Sequence, residues 1–201
     1  MRDQSRAELG VGREHFVLLL VGNDWHKKGL YTLLDALRLL ADRKLVLLVV
    51  GNDEKRPYQE KIQRSGLSDC VRFLPSRGDV AFYYAAADAY VGPSLEDTFA
   101  QPPAEAMACG LGVITSVTNG TAEIITEGFD GLIVQNPNDA EELAVQIRRL
   151  RQDPDFLRQL GENASRTASR YTWDQNGDQM KEILTNVLRR KKARSGLDPS
   201  R

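Results

Sequence analysis

The sequence predicts an α/β fold in which helices cover both faces of one parallel sheet. Six short apolar runs occur between residues 16 and 134, and most lack the polar–apolar alternation of a half-exposed strand. Segments with helical spacing separate these runs, as expected of parallel strands joined by crossover helices. Hydrophobic residues make up 41% of the 201 residues and charged residues 27%, so the chain can form one globular domain with a substantial core.

The predicted strands are buried runs that end at glycine, proline or a polar loop. The first, F-V-L-L-L-V, precedes Gly22, and the second, L-V-L-L-V-V, precedes Gly51. Right-handed crossovers then predict a doubly wound, Rossmann-like sheet with the strand order 3-2-1-4-5-6. The six strands are predicted at residues 16–21, 45–50, 71–74, 89–92, 112–115 and 131–134.

The predicted helices follow from apolar spacing and from the residues at their ends. Leucines at positions 30, 33, 34, 37 and 40 recur at helical intervals after the first strand. Pro102 and Pro103 suit the first positions of a helix, and Gly110 suits the position after its end. The helices are predicted at residues 5–10 (one turn), 28–40, 57–66, 79–87, 102–110, 121–127, 139–151, 155–170 and 173–190.

Residues 1–190 are therefore predicted to form a single domain, followed by a disordered basic tail at 191–201 that lies in solvent or touches anionic lipid. The apolar runs are too short to cross a bilayer, and the N-terminus lacks the apolar segment of a signal peptide, so we expect a cytoplasmic protein. A net charge of −1 provides no global attraction for nucleic acid. Cys70 and Cys109 lack the spacing of a metal site and are expected to be reduced core thiols.

The stretch P-S-L-E-D-T-F-A-Q-P-P-A-E-A-M-A-C-G at residues 93–110 combines a strand end, an acidic loop and the start of a helix. At the carboxyl edge of a parallel sheet, this arrangement commonly holds a phosphorylated ligand. Glu105 is expected in the first turn of the helix, where the helix dipole favours a carboxylate. Taken alone, Glu105 would only balance that dipole and Asp97 would lie in solvent, so the prediction of a ligand site depends on the whole stretch.

Two further loops carry cations to the same edge. The loop after the first strand, G-N-D-W-H-K-K-G, places Lys28 at the expected start of a helix, where a bound diphosphate would offset its charge. The alternative is a lysine in solvent, as we expect for Lys27. This loop lacks the glycines of dinucleotide-binding folds and P-loops, so NAD binding and ATP hydrolysis fit poorly. Arg77, after the third strand, either faces a base or ribose or lies on the surface.

Together these motifs resemble the retaining glycosyltransferases of family 4. The central stretch is similar to that family's S-x-x-E-G-F-G-L-P-x-x-E-A-M-A-x-G, with Asp97, Phe99 and Glu105 at the first acidic, the aromatic and the second acidic positions. The segment V-G-N-D-W-H-K-K-G resembles the family's V-G-R-x-x-x-x-K-G, and N-G-T-A-E at 119–123 resembles its G-G-x-x-E. The resemblance covers residues 16–173. Within the family, the turns of this chain look similar to those of the lipopolysaccharide core glucosyltransferases.

The resemblance implies one half of a GT-B enzyme, namely the C-terminal domain that binds a nucleotide sugar such as a UDP- or GDP-hexose. Lys28 would neutralise the leaving diphosphate and Asp97 would hold hydroxyls of the transferred sugar, so both are catalytic candidates. Glu105 would accept hydrogen bonds from the ribose, and backbone N–H groups at 99–101 would face the sugar or diphosphate. No metal or cofactor is implied. The implied donor-binding residues are Gly22, Asn23, Lys28, Arg77, Asp97, Phe99, Ala100, Gln101 and Glu105.

The function implied is donor binding in a retaining hexosyltransferase of polysaccharide or lipopolysaccharide synthesis, with an N-terminal acceptor-binding domain as partner and peripheral contact with the inner membrane. Asn23 replaces an arginine of the family pattern. Asp97 is one methylene shorter than the usual glutamate, so either the sugar lies closer or Glu96 shares its role. A non-catalytic nucleotide-binding or interaction module of the same fold remains the alternative, while a GT-B epimerase fits poorly because its histidine and acid pattern is missing.

Overall fold

Six parallel strands form one sheet in the order predicted from the sequence. The computed structural model describes residues 1–195, and the side chains of residues 1–191. The strands are β1 (Phe16–Val21), β2 (Leu45–Val50), β3 (Val71–Leu74), β4 (Ala89–Gly92), β5 (Gly112–Ser116) and β6 (Leu132–Val134). Their order across the sheet is β3-β2-β1-β4-β5-β6, and every pairing is parallel. The predicted Rossmann-like architecture is therefore confirmed.

The helices largely follow the predicted segments. They are α1 (Arg2–Glu8), α2 (Leu30–Leu40), α3 (Arg56–Arg64), α4 (Ala81–Ala86), α5 (Gln101–Ala108), α6 (Ala140–Gln152), α7 (Pro154–Ala168) and α8 (Trp173–Ser195). The helix predicted at 121–127 is instead a short 3₁₀ helix at Gly120–Ile124.

Helix α8 continues past the predicted domain boundary at residue 190. Residues 191–195, assigned from the sequence to a disordered tail, are helical in the structure, and residues 196–201 lie outside the described part of the chain. The side chain of Trp173 is 81% exposed, and the apolar residues of the following turns are also exposed. This helix therefore adds little to the core. Within residues 1–195, no helix combines the length and the hydropathy needed to cross a bilayer.

Alternating strand residues divide the core between the two faces of the sheet. Leu18 and Leu20 of β1 belong to a cluster that includes α2, α3 and α6, whereas Val17 and Leu19 belong to a cluster that includes α4 and α5. All four β1 side chains are fully buried. Because burying one such side chain is worth about 1.5–3 kcal/mol, these uninterrupted apolar runs hold both helical layers on the sheet.

The two central strands send their connections to opposite faces. Strand β1 leads to α2 on the first face, and its neighbour β4 leads to α5 on the second. The chain therefore diverges at the carboxyl ends of β1 and β4 and leaves a crevice between the two loops. In open α/β sheets this switch point is where ligands bind. Both loops singled out in the sequence begin there, at Gly22 and Pro93.

Candidate functional site

The loops after β1 and β4 are joined by an ion pair between Lys28 and Asp97. The Lys28 Nζ donates a hydrogen bond to the Asp97 carboxylate, and the two side chains are only 13% and 19% exposed. Gly22 contributes by having no side chain, because a Cβ there would lie 3.1 Å from Lys28 Cε. The ammonium is therefore held over the end of β1, at the switch point of the sheet.

The sequence predicted Lys28 at the start of a helix, but α2 begins two residues later, at Leu30. Gly29 adopts a left-handed conformation with φ 75°, and a Cβ on it would lie 2.0 Å from the carbonyl oxygen of Pro93. The Leu95 N–H also donates to the Lys27 carbonyl at 2.7 Å. The glycine thus lets the two loops pack directly together, which places Lys28 beside the acidic loop.

The acidic loop between β4 and α5 is held by hydrogen bonds to the segment that follows β5. The Asn119 side chain is buried, and its Oδ1 accepts hydrogen bonds from the N–H groups of Thr121 (3.0 Å) and Ala100 (3.3 Å). The Gly120 N–H donates to the Asp97 carbonyl at 3.0 Å. These N–H groups are used within the protein, so this turn is a structural support for Asp97 and not an open anion nest.

The Ala100 hydrogen bond corrects one expectation about the donor site. The family resemblance implied that backbone N–H groups at 99–101 face a ligand, whereas the Ala100 N–H donates to Asn119 Oδ1 at 3.3 Å. Ala100 is the N-cap residue of α5, and Gln101 is the first helical residue and is exposed. Phe99 is 47% exposed at the tip of the loop. The exposed positions here are therefore Phe99 and Gln101.

Glu105 lies one residue further from the start of α5 than predicted, because the helix begins at Gln101. It is the fifth residue of this helix, so the first turn contains no acidic residue. Its Oε2 accepts a hydrogen bond of 2.7 Å from the hydroxyl of Tyr84 on α4. Burial, followed by this hydrogen bond, raises the pKa of Tyr84 above its ordinary value, so the phenol stays protonated and donates. The carboxylate is thus oriented by a buried side chain and not by the helix dipole.

Tyr90 places a second phenol near the two carboxylates. It is fully buried on β4, and its pKa is raised by burial and then by Asp97 and Glu105, so that hydroxyl is also protonated at neutral pH. The hydroxyl has no hydrogen-bond partner among the described residues. A Cβ at Gly92 would lie 2.7 Å from it, so the ring occupies space that only glycine leaves open.

Asn23 and Arg77 lie at the same edge but are engaged with protein groups. The Asn23 Oδ1 accepts a hydrogen bond of 2.9 Å from the Asn52 N–H, which ties the loop after β1 to the loop after β2. Arg77 pairs with Asp79 at 2.8 Å and stacks on Phe82 with 3.9 Å between the guanidinium carbon and the ring centroid. The structure therefore places Arg77 two strands from Lys28, outside the cluster around Asp97.

Several features of the site were not visible in the sequence. The roles of Tyr84 and Asn119 depend on contacts between segments far apart in the chain. The only sequence signal was that Asn119 opens the N-G-T-A-E motif, and nothing singled out Tyr84. Cys109 was expected in the core but is exposed, because α5 ends beside it. Trp25 is fully buried and packs on Phe73 with 4.9 Å between ring centroids.

The crevice therefore brings together a cation, two carboxylates and the start of a helix. An ammonium suits a phosphate group, and carboxylates suit sugar hydroxyls. Such a combination can bind a phosphorylated sugar and can stabilise negative charge that develops on a leaving phosphate.

Comparisons with known proteins agree with this reading of the fold. The family described as "Glycosyl transferases group 1" matches residues 1–167. The chain is 32% identical over 199 residues to a D-inositol 3-phosphate glycosyltransferase of Thermomonospora curvata, covering 92% of this chain and 46% of that protein. It is 27% identical over 190 residues to the lipopolysaccharide glucosyltransferase WaaG of Escherichia coli, covering 93% of this chain and 51% of that protein.

Among solved structures, Anabaena HepE in complex with UDP-glucose is similar, with a TM-score of 0.84 and 27% identity. The match covers 92% of this chain and 52% of HepE. The chain spans about half the length of the curated relatives it matches. Because the family match extends over most of the chain, this protein belongs to the glycosyl transferases group 1 family.

Proposed function

We propose that this chain is the nucleotide-sugar donor-binding domain of a retaining hexosyltransferase. The observation that carries the proposal is the Lys28–Asp97 pair at the switch point between β1 and β4. A nucleoside diphosphate offers Lys28 a second anion in the same crevice. The solved structure of HepE holds UDP-glucose, and this chain has a similar fold, with a TM-score of 0.84.

Each proposed role follows from the charge of the group. When the donor binds, the Lys28 ammonium contacts the diphosphate and balances the charge that grows as the glycosidic bond breaks. Asp97 then accepts hydrogen bonds from hydroxyls of the transferred sugar. Glu105 accepts hydrogen bonds from the ribose, because one of its oxygens is already fixed by Tyr84. With an ammonium in place to neutralise the diphosphate, the proposed reaction proceeds without a metal ion.

We further propose that the acceptor is held by a second domain, which would lie N-terminal to this one in the complete enzyme. The curated relatives are about twice the length of this chain, which leaves room for such a domain. WaaG is a lipopolysaccharide glucosyltransferase, so synthesis of lipopolysaccharide or a related polysaccharide at the cytoplasmic face of the inner membrane is the setting that we favour.

A calorimetric ligand panel tests the binding proposal. The purified chain is titrated with UDP, GDP, ADP and CMP, and then with hexose conjugates of whichever diphosphate binds. We expect saturable binding of one nucleoside diphosphate, unaffected by EDTA, and a further change in affinity with the sugar attached. If none of these ligands binds at millimolar concentration, the proposed donor-binding function is wrong. If binding requires a divalent cation, the proposed metal independence is wrong.

A further inference from the structure

We propose that Tyr84 is a positioning residue for the donor site, and that its hydroxyl holds the Glu105 carboxylate in the orientation that receives the ribose. This inference rests on the proposed function, because it assigns a role to a side chain that acts through Glu105. Nothing in the sequence motifs around residues 93–110 identifies Tyr84, which comes from the preceding helix α4.

The contact between Tyr84 and Glu105 is short and buried. Tyr84 is 1% exposed, and its hydroxyl lies 2.7 Å from Glu105 Oε2. The same hydroxyl is 3.3 Å from the carbonyl oxygen of Pro102 in the first turn of α5. A phenol has one proton, and a carboxylate is the stronger acceptor at the shorter distance, so the proton points to Glu105.

The protonation state favours the same direction of hydrogen bonding. Burial raises the pKa of Tyr84 in the first place, and the hydrogen bond to Glu105 raises it further. The hydroxyl is therefore a donor throughout the physiological pH range. A carboxylate has four lone-pair positions, so this bond uses only one of them and leaves the second oxygen free to accept ribose hydroxyls.

The benefit of this arrangement is preorganisation. A free glutamate side chain loses rotamer freedom when a ligand immobilises it, and this loss weakens binding. Tyr84 removes part of that freedom before the ligand arrives. Its loss should therefore weaken the recognition of the ribose hydroxyls specifically and should leave recognition of the diphosphate by Lys28 unchanged.

The experiment compares the affinity of UDP with that of 2′,3′-dideoxy-UDP by calorimetry. The ratio of the two affinities measures what the ribose hydroxyls contribute. If GDP binds more tightly than UDP, the experiment uses GDP and 2′,3′-dideoxy-GDP instead. The variant is Tyr84→Phe, which removes only the hydroxyl. Tyr83→Phe is the matched control, because Tyr83 is also buried on α4 and donates to the Pro75 carbonyl at the same 2.7 Å, away from Glu105.

We expect the affinity ratio to fall about 3- to 10-fold in Tyr84→Phe and to stay at the wild-type value in Tyr83→Phe. In a Glu105→Ala background, adding Tyr84→Phe should change the ratio no further, because the positioned carboxylate is already gone. Unfolding by urea, followed for each variant, shows whether the two phenylalanine variants lose similar stability.

The outcomes separate this inference from the function on which it rests. If the wild-type chain prefers UDP over its dideoxy form and Tyr84→Phe keeps the full preference, the positioning role is wrong while donor binding stands. A lowered ratio in Tyr83→Phe as well would make the effect a general loss of α4 packing and would also overturn it. If the wild-type chain binds neither UDP nor GDP, both the donor site and the role of Tyr84 are wrong.

Discussion

The ammonium of Lys28 is hydrogen-bonded to the carboxylate of Asp97, across the gap between two loops that leave adjacent strands. Both side chains are largely shielded from solvent. A charged pair in such a place costs desolvation energy, and removal of one partner leaves the other charge uncompensated. The pair therefore explains how Lys28 stays at the end of β1 before a ligand arrives, and it makes Asp97 a competitor of any bound phosphate.

The replacement Asp97→Asn should separate phosphate binding from sugar binding. Without the carboxylate, Lys28 has no competing anion, so we expect UDP or GDP to bind as tightly as to the wild type or up to about tenfold more tightly. The extra affinity contributed by an attached hexose should fall, because Asp97 no longer accepts its hydroxyls. Calorimetry with the diphosphate and its hexose conjugate measures both effects.

Glu96→Gln is the control for this replacement, because Glu96 pairs with Lys27 at 3.6 Å and both side chains are more than half exposed. We expect it to bind both ligands as the wild type does. A loss of diphosphate affinity in Asp97→Asn, or an equal loss of sugar discrimination in Glu96→Gln, would contradict the assignment of Asp97.

Gly120→Ala should disrupt the support beneath the acidic loop. A Cβ at this position would lie 1.8 Å from the carbonyl oxygen of Thr98, so the backbone of the loop must shift. Overpacking of this kind typically costs about 1–3 kcal/mol of unfolding free energy, and we expect a value at or above the top of that range. Gly78→Ala is the control, since a Cβ at Gly78 would meet no atom within 4 Å, and it should change stability by less than about 0.5 kcal/mol. Equal midpoints of urea unfolding for the two variants would contradict the close packing described here.

Buried tyrosines should make the fold sensitive to alkaline pH. Of the six tyrosines, Tyr58, Tyr83, Tyr84 and Tyr90 are buried, and burial is the first cause that raises the pKa of each, to about 12 for Tyr58. An unfolded chain releases these protons near pH 10, whereas the folded chain retains them. The free energy of unfolding is therefore fully maintained below pH 10 and falls above it, by about 1.4 kcal/mol per pH unit for each such tyrosine.

Urea unfolding between pH 8 and pH 11, with phenolate absorbance followed in parallel, measures this dependence. In Tyr58→Phe, the free energy of unfolding should fall less steeply above pH 10, by the contribution of one tyrosine. If all six tyrosines ionise near pH 10 in a chain that remains folded, the burial of these four hydroxyls is wrong.

The isolated 201-residue chain should bind a donor without transferring its sugar. Transfer requires the donor and the acceptor to be held together with water excluded, and much of the rate comes from that positioning. In the proposed enzyme the acceptor and part of the wall around the sugar belong to a second domain. Incubation with UDP- or GDP-sugars and glycan acceptors tests this, and turnover of about 1 per second or more would contradict it.

The strands could be predicted from the sequence because they depend on burial, and their order could be predicted from right-handed crossovers in a doubly wound sheet. The runs F-V-L-L-L-V and L-V-L-L-V-V have no polar face, so they can only be central strands of a covered sheet, and the two pair in register over their full length. Once β1 and β4 lie side by side at the centre of the sheet, the loops that follow them must meet at its carboxyl edge. The placement of Lys28 and Asp97 at that edge follows from this topology.

The details of the site could not be predicted because they depend on contacts between loops. Gly29 adopts a left-handed conformation against Pro93, which ends the turn and delays α2 to Leu30. Lys28 then pairs with an acid distant in sequence, where the sequence predicted a bound diphosphate. Likewise, the partner of Glu105 is a tyrosine from another helix, and no spacing rule along the chain reveals such a contact.

Comparison of Lys28→Ala with Lys27→Ala tests the central claim most directly. The two lysines are adjacent and each pairs with an acid of the same loop, but Lys28 is 13% exposed in the crevice and Lys27 is 53% exposed outside it. The measurement is the calorimetric affinity for whichever of UDP or GDP binds the wild-type chain. We predict that Lys28→Ala weakens binding by about 1.5–3 kcal/mol, the range for hydrogen bonds to charged groups, and that Lys27→Ala leaves it nearly unchanged. Wild-type affinity in Lys28→Ala, or the same loss in both variants, would contradict the assignment of the crevice as a diphosphate site.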